Sequence, residues 1–302
     1  VALSAAAELL VKFRYEKRLR ASLWEFWAAV AQRVRVELER SSSMMLADVR
    51  VVAHDALARI LLAHYSDVAR DFARDIVASM PSSLALTEAE RAALSVDLAR
   101  VFTARAGEQA DVILATAQRR LIVAARSARE SVAAEGSMLT ASDIPAVTSR
   151  IWLARQRVGS HTVATFETQS AAEAAKGIAT NRLLGENSRG VKVIGEALKV
   201  WSTQGDSRVR DGSNGGFDHL EADGQRVRVS DSFEVSGERL RWPGDWSLGA
   251  TGPNIYGCRC SATYEVDSIA ELRSMFLEAI RADTEVFLQT ESAVVVAAPF
   301  AL

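Results

Sequence analysis

Helix breakers are nearly missing from the first three-fifths of this chain. Only four of its 17 glycines, and only Pro81 and Pro145 among its five prolines, fall in residues 1–184. Residues 185–302 hold the other thirteen glycines. Glycine and proline punctuate regular structure, so the first region is committed to long helices and the second to turns.

Apolar periodicity sets those helices out. In the first, Leu9, Leu10, Phe13, Leu23, Trp24, Trp27, Val30, Val34 and Leu38 recur at three- and four-residue steps, and the serines at 41–43 close it. A second helix is expected from about Met44 to Ser79, striped by Leu46, Val49, Ala53, Leu57, Ile60, Leu61, Val68 and Phe72, with Pro81 at its end. Thr87 and Glu90 have the spacing of a capping box for a third, which continues to about Ala134 and is ended by Gly136. Ser142 or Asp143 caps a fourth, Pro145 suits its early turn, and a break is expected at Gly159 before it ends near Leu184. Helices of about 35 to 45 residues reach roughly 50 to 65 Å. That is out of scale for a compact enzyme domain and suits an elongated antiparallel bundle or docking stalk. No strict heptad runs throughout, so a bundle is preferred to a coiled coil.

From about Val191 the period changes. "VKVIGEALKVW", "QRVRVSDSFEV", "ERLRW" and "RCSATYEV" alternate or carry β-branched and aromatic residues, with "ADG", "SGE", "PGD" and "TGPN" between them. Three to five short strands are expected, then a helix, "SIAELRSMFLEAIRADTEVFLQ", and an apolar tail. The fold class is α+β, predominantly α. A long N-terminal antiparallel bundle, or docking arm, occupies 1–184, and a small mixed α+β domain occupies 185–302, the junction lying at "LLGENSRG".

Bulk composition excludes several functions. A formal net charge of −2 argues against a dedicated polyanion binder. Two cysteines one residue apart make no disulfide framework, which implies a reducing compartment. No apolar run reaches the ~20 residues that span a bilayer, and the N-terminus lacks the order of a secretory signal. A cytosolic chain without a membrane partner is expected.

Candidate site residues cluster in the second region. Cys258 and Cys260 form a C-x-C pair, and His219 with Asp218 or Asp223 would add donors. Structural zinc sites use four donors, usually from two clusters spaced C-x2-C or wider. Cys258, Cys260 and His219 are therefore weak metal candidates, and buried thiols on a strand edge are the plainer reading. As a general base, His219 would need Asp206 or Glu221 to orient it, and no nucleophile is evident; a turn-stabilising histidine is preferred. Asp206 is expected to pair with Arg208 or Arg210, partly buried, and to fix the strand's start. Glu167, Thr165 and Thr168 lie on an Ala-rich helix and are expected to hydrogen-bond across its contact with the C-terminal unit. His54 and His64 stand ten apart, without the helical spacing of a metal pair. Trp24 and Trp27 make core or partner contact.

Five stretches follow one another in the order "VATFETQSAAEAAKGIATN", "KVWSTQGDSRVR", "HLEADGQRV", "SDSFEVSGERLRWPGD" and "YGCRC". In that order they resemble the phage Mu F-like minor head protein family, the phage head morphogenesis proteins, over about residues 160–265. Three departures stand out. "DGSNGGFD" separates Arg210 from His219, where the family places its histidine sooner. Gly257 stands where the family commonly has Asn, and the additional upstream cysteine pair of some relatives is missing. The resemblance implies that Trp201, Asp206, Arg208, Arg210, His219, Asp223, Gly224, Phe233 and Pro243 build a compact F-like domain closed by Cys258 and Cys260. It implies a virion component at the portal vertex or capsid interior, made in the host cytoplasm, that acts in head assembly, DNA packaging or ejection. Its expected partners are portal protein, major capsid protein, or both, with packaged DNA as a further one. No catalytic residue and no cofactor are expected, zinc being the one candidate ion. The alternative is a nucleotide-using transferase or a nuclease-like toxin domain on a helical stalk.

Overall fold

A computed structural model describes residues 5–40, 51, 53–79, 85–134, 140–184, 198–206, 209–213 and 216–265. The helices are α1 (Ala5–Arg40), α2 (His54–Ser79), α3 (Glu88–Ala134) and α4 (Ile144–Leu184), the last preceded by a 3-10 turn at Ala141–Asp143. Then come β1 (Leu198–Ser202), β2 (Arg226–Arg228), β3 (Phe233–Val235), β4 (Glu238–Leu240), the single turn α5 (Gly252–Ile255) and β5 (Ser261–Glu265). The chain is α+β with α predominating, a long helical region followed by a small sheet region. Among the described residues no helix is long and apolar enough to cross a membrane.

Two helix starts differ from expectation. Val51 and Ala53 precede the first turn of α2, and Val51 instead donates its buried N–H to Gln118 Oε1 at 3.0 Å. A glutamine from α3 thus takes a donor that a longer α2 would have used internally. At α4, Thr140 opens the turn and Asp143 Oδ2 accepts its N–H at 2.7 Å and its hydroxyl at 2.8 Å. The expected box at Thr87 forms, with Thr87 N–H donating to Glu90 Oε2 at 2.8 Å. Gly159 does not break α4. A Cβ there would lie 2.3 Å from Arg120 Nη1, so the glycine admits Arg120, which bonds Gln156 Oε1. Leu46, Val49, Pro81, Gly136, the junction at 185–190, the expected last helix and the tail all lie outside the described residues.

Contacts between successive helices run in opposite senses. Along α1 and α4, Lys12 meets Glu173, Trp24 meets Arg157 and Ala31 meets Ser149. Tyr15 bonds Asp71 between α1 and α2, Tyr65 stacks with Phe102 between α2 and α3, and Trp152 donates to the Ala117 carbonyl between α3 and α4. The bundle is up-down-up-down, with Leu19, Leu23, Trp27, Leu57, Leu61, Phe72, Phe102, Leu121 and Trp152 in its core.

Helix α4 is the exception to amphipathic patterning. From Phe166 to Gly177 every residue is buried, on all sides of the helix. Alanines 171, 172, 174, 175 and 179 make that enclosure feasible, because small side chains let neighbours approach the backbone. The sheet side is covered by an antiparallel sheet ordered β2-β1-β5, with Trp201 opposite Ala262, and by the β3–β4 hairpin. Trp242 belongs to the bundle core, and Val229 shares a cluster with Ala73, Ile76, Ala179 and Leu183, so the two regions share apolar cores.

The polar side chains that α4 itself carries inside this enclosure are paired. Glu173 binds Lys12 at 2.7 Å and Lys176 at 2.9 Å, and it accepts the Ala262 N–H at 2.9 Å. Lys176 also reaches the Ala262 carbonyl at 3.2 Å and Glu8 at 3.1 Å, and Glu8 pairs with Lys12 at 2.6 Å. One ionic cluster thus joins α1, α4 and β5. Burial by itself would raise the Glu8 carboxyl, but the ammonium groups of Lys12 and Lys176 outweigh it and hold the carboxyl at about 2.

Two measurements check this account. A Cβ at Gly177 would lie 2.8 Å from the Trp242 ring, whereas nothing lies within 4 Å of one at Gly107. Gly107→Ala is expected to stabilise the chain by up to about 1 kcal/mol in urea unfolding, and Gly177→Ala to destabilise it by about 1–3 kcal/mol through overpacking. Because the Glu8 pKa is lower in the folded chain, its contribution is complete above the ordinary value of 4.5 and is lost as pH falls towards about 2. The stability difference between wild type and Glu8→Gln should therefore be largest above pH ~5 and shrink steadily below it.

Candidate functional site

Strand β1 supplies the floor of the C-terminal unit. Its alternation buries Lys199 and Trp201. Trp201 stacks edge-on against Phe233 at 5.3 Å and against His219 at 5.7 Å. Lys199 donates to the Arg241 carbonyl at 2.8 Å, and burial lowers its pKa to about 8 despite Asp245 and Asp231 nearby.

The "DGQ" turn ties β1 to β3. Asp223 Oδ1 accepts the Thr203 N–H at 2.7 Å. Gly224, at φ +77°, is in the left-handed region and delivers its N–H to the Trp201 carbonyl at 2.8 Å. Gln225 then clasps Glu234, its amide donating to the carbonyl at 3.0 Å and accepting the N–H at 2.9 Å. Further on, Pro243 is buried beside Asp245, whose carboxylate accepts the N–H groups of Arg241 and Ser247, each at 2.8 Å.

His219 sits where these pieces meet. It is 1% exposed, and Cys258 and Cys260 are each 2% exposed. Both sulfurs lie 3.5 Å from His219 Nδ1. On the other side of the ring, Nε2 lies 2.8 Å from Asn254 Oδ1. Asn254 is itself oriented, its Nδ2 donating to Glu238 Oε2 at 2.9 Å and to the Val235 carbonyl at 3.3 Å. That fixes the amide oxygen towards the ring and the ring proton on Nε2, leaving the Nδ1 lone pair facing the sulfurs. The chain reaches this point through α5 and Gly257, whose φ of +72° is a conformation that Gly and Asn tolerate best.

Electrostatically, the cluster favours a thiolate at Cys258. The hydrogen bond from Cys260 lowers the Cys258 pKa well below its ordinary value, against burial, and His219 adds to the effect. Cys260 is pushed up, by its hydrogen bond to Cys258 and then by burial. Burial favours neutral His219, yet the Cys258 hydrogen bond and charge, with Asn254, raise its pKa overall.

A thiolate is both a metal ligand and a nucleophile. The three side chains Cys258, His219 and Asn254 have the connectivity of a thiol–imidazole–amide triad. All three are almost wholly buried, so no substrate reaches the sulfur in this conformation. The same sulfurs and Nδ1, all within 4.8 Å of one another, form a compact donor set for a cation.

Compared with protein-family models, curated proteins and solved structures, the chain matches none.

Arg210 and Asp206 have partners that spacing along the chain did not suggest. Arg208 lies outside the described residues. Arg210 braces the Asn254 and Tyr256 carbonyls and reaches His219 Nε2 at 3.5 Å. Asp206 pairs at 2.5 Å with Arg259, the residue between the cysteines, and its expected pairing with Arg208 falls on a residue outside the described ones. Ends of two loops distant in sequence meet there, which spacing along the chain does not show. The Asp218 side chain caps the turn at Glu221 and does not join the cysteines.

On α4, the expected face is rotated. Glu167 accepts from Tyr65 at 2.5 Å and Arg105 at 3.4 Å, Thr168 meets His64 at 3.0 Å, and Thr165 reaches Glu16. These bonds go to α1, α2 and α3. Gln169, Ser170, Glu173 and Lys176 make the contacts with the C-terminal unit instead, Gln169 donating to the Cys260 carbonyl and Ser170 to that of Gly244. His54 is half-exposed beside Asp55 and Asp111, Trp24 is exposed, and Trp27 packs edge-on against Trp152. Sequence reasoning missed Asn254, Lys199 and Arg259. The only trace of Asn254 was its place in "TGPN", four residues before Cys258.

The Asp206 and Arg259 side chains are 34% and 25% exposed, so solvent screens their pair. Asp206→Asn is expected to cost only about 1 kcal/mol in chemical unfolding. Asp223→Ala, which hands the Thr203 N–H to water and loosens the Gly224 turn, should cost about 0.5–1.5 kcal/mol.

Proposed function

We propose that this chain is a phage minor head protein that works by docking, its C-terminal unit an F-like domain mounted on a helical bundle. One observation carries the reading: the described residues of the F-like motifs interlock with one another. Trp201, His219 and Phe233 stack, Asp223 holds β1, Gln225 clasps β3, and Arg210 braces the loop that leads to Cys258. Such a unit holds a shape. The groups with reactive potential, Cys258, His219, Glu167 and Glu173, are buried and engaged with protein partners.

Docking needs outward apolar groups, and the bundle carries two sets of them. Leu9, Leu10 and Phe13 on α1 and Val112, Ile122 and Val123 on α3 are exposed apolar residues. Portal protein or major capsid protein is the partner this reading calls for. Packaged DNA is the less favoured one, because the formal charge is −2 and DNA binding draws on basic surface.

Incorporation into particles tests the reading. The wild-type chain should cofractionate with procapsids or portal rings, and Leu10→Asp with Phe13→Asp should reduce incorporation by tenfold or more while the far-ultraviolet circular dichroism stays unchanged. Full assembly and infectivity of particles lacking the chain would defeat the proposal.

A further inference from the structure

The geometry points to one zinc ion held by His219 Nδ1, Cys258 Sγ and Cys260 Sγ, tying two loops of the small sheet unit together beside α4. Three features of the cluster support it. The donors converge from two segments, 39 and 41 residues apart, with both sulfurs at 3.5 Å from the same ring nitrogen.

The second feature lies behind the ring. Histidine ligands of metals characteristically give their other N–H to an oriented acceptor, which fixes the tautomer and aims the bare nitrogen at the ion. Asn254 Oδ1, at 2.8 Å from Nε2, is that acceptor, and two further bonds from its Nδ2 keep it from flipping. A histidine that merely filled a turn would not need this support. Trp201 adds to the surroundings, its ring packed edge-on against His219 at 5.7 Å.

The third is charge. Phe166, Trp201, Phe233 and Ile255 share the cysteines' apolar cluster. An uncompensated charge there is costly. Two thiolates and a neutral imidazole around Zn2+ sum to zero, whereas copper(I) would leave a net negative charge among the ligands. Three protein donors are one short of a closed tetrahedral zinc site, so the fourth position falls to a small ligand such as water.

Such an ion suits the unit's size. Its strands are three to five residues long. Small domains with limited cores commonly gain folding free energy from a structural metal. The effect would extend to α4, because Gln169 bonds the Cys260 carbonyl and Glu173 the Ala262 N–H. The zinc site does not rest on the head-protein reading, and binding and incorporation into particles are measured separately.

The test uses the full chain, purified under reducing conditions and stripped with a chelator. Zinc titration followed by elemental analysis should return one tightly held equivalent, and cobalt(II) should give intense thiolate charge-transfer bands. Cys258→Ser and Cys260→Ser should each abolish those bands, and Asn254→Ala should weaken affinity roughly 10- to 100-fold. Zinc should slow iodoacetamide modification of both thiols relative to the stripped chain. The cobalt spectrum of the wild type needs no variant, so it stands even where a serine variant fails to fold. Three outcomes overturn the proposal. One is a wild type without thiolate bands. Another is retention of copper(I) alone. The third is fast single-site alkylation of Cys258 in the presence of stoichiometric zinc, which would mark a thiol nucleophile instead.

Discussion

Enclosure of α4 on all sides is the constraint on which the rest of the structure depends. An ordinary bundle helix hides one stripe and leaves its polar face to water. Between Phe166 and Gly177, α4 has no wet face. Each polar group on it must therefore find a protein partner or leave a buried donor or acceptor unmet. The neighbours meet that demand from several directions: Tyr65 and Arg105 for Glu167, His64 for Thr168, Lys12 and β5 for Glu173, Glu8 and β5 for Lys176. Breaking one member of such a set leaves a charge buried without compensation, which costs far more than an exposed pair. The helix is thus a spine whose surroundings are specified by its own polar side chains.

The same logic explains why the C-terminal unit is rigid despite its short strands. Several of its described turns are held by a side chain that reaches back to the backbone: Asp223 to Thr203, Gln225 to Glu234, Asp245 to Arg241 and Ser247. At the centre, Trp201 packs edge-on against both His219 and Phe233, and Asn254 determines which ring nitrogen faces the sulfurs. The outcome is a cluster whose chemistry is directed inward. Its donor atoms face one another, and its connection to the bundle runs through the Cys260 and Ala262 backbone.

Local signals were legible where local physics governs. The scarcity of glycine, the capping box at Thr87 and the turn residues in "ADG" and "SGE" act over a few residues, so the helical region and a set of three to five short strands joined by turns could be read directly. Gly159 misled for an instructive reason. Its job is to make room for Arg120, a residue 39 positions away, and helix propensity says nothing about a neighbour of that kind. The face of α4 was misassigned similarly: small residues announce close packing, but an element packed all round has no single face for periodicity to reveal.

By itself, the sequence determined the class of the fold, the presence of its long helices and the residue types gathered in the C-terminal motifs, because propensity, capping and turn chemistry are short-range. Tertiary structure alone decided which of those residues meet. It gave Asp206 to Arg259, placed Asn254 behind His219 and turned both cysteines onto one ring nitrogen. Those pairings join loops tens of residues apart, and only the packing of the sheet against α4 sets the distances between them.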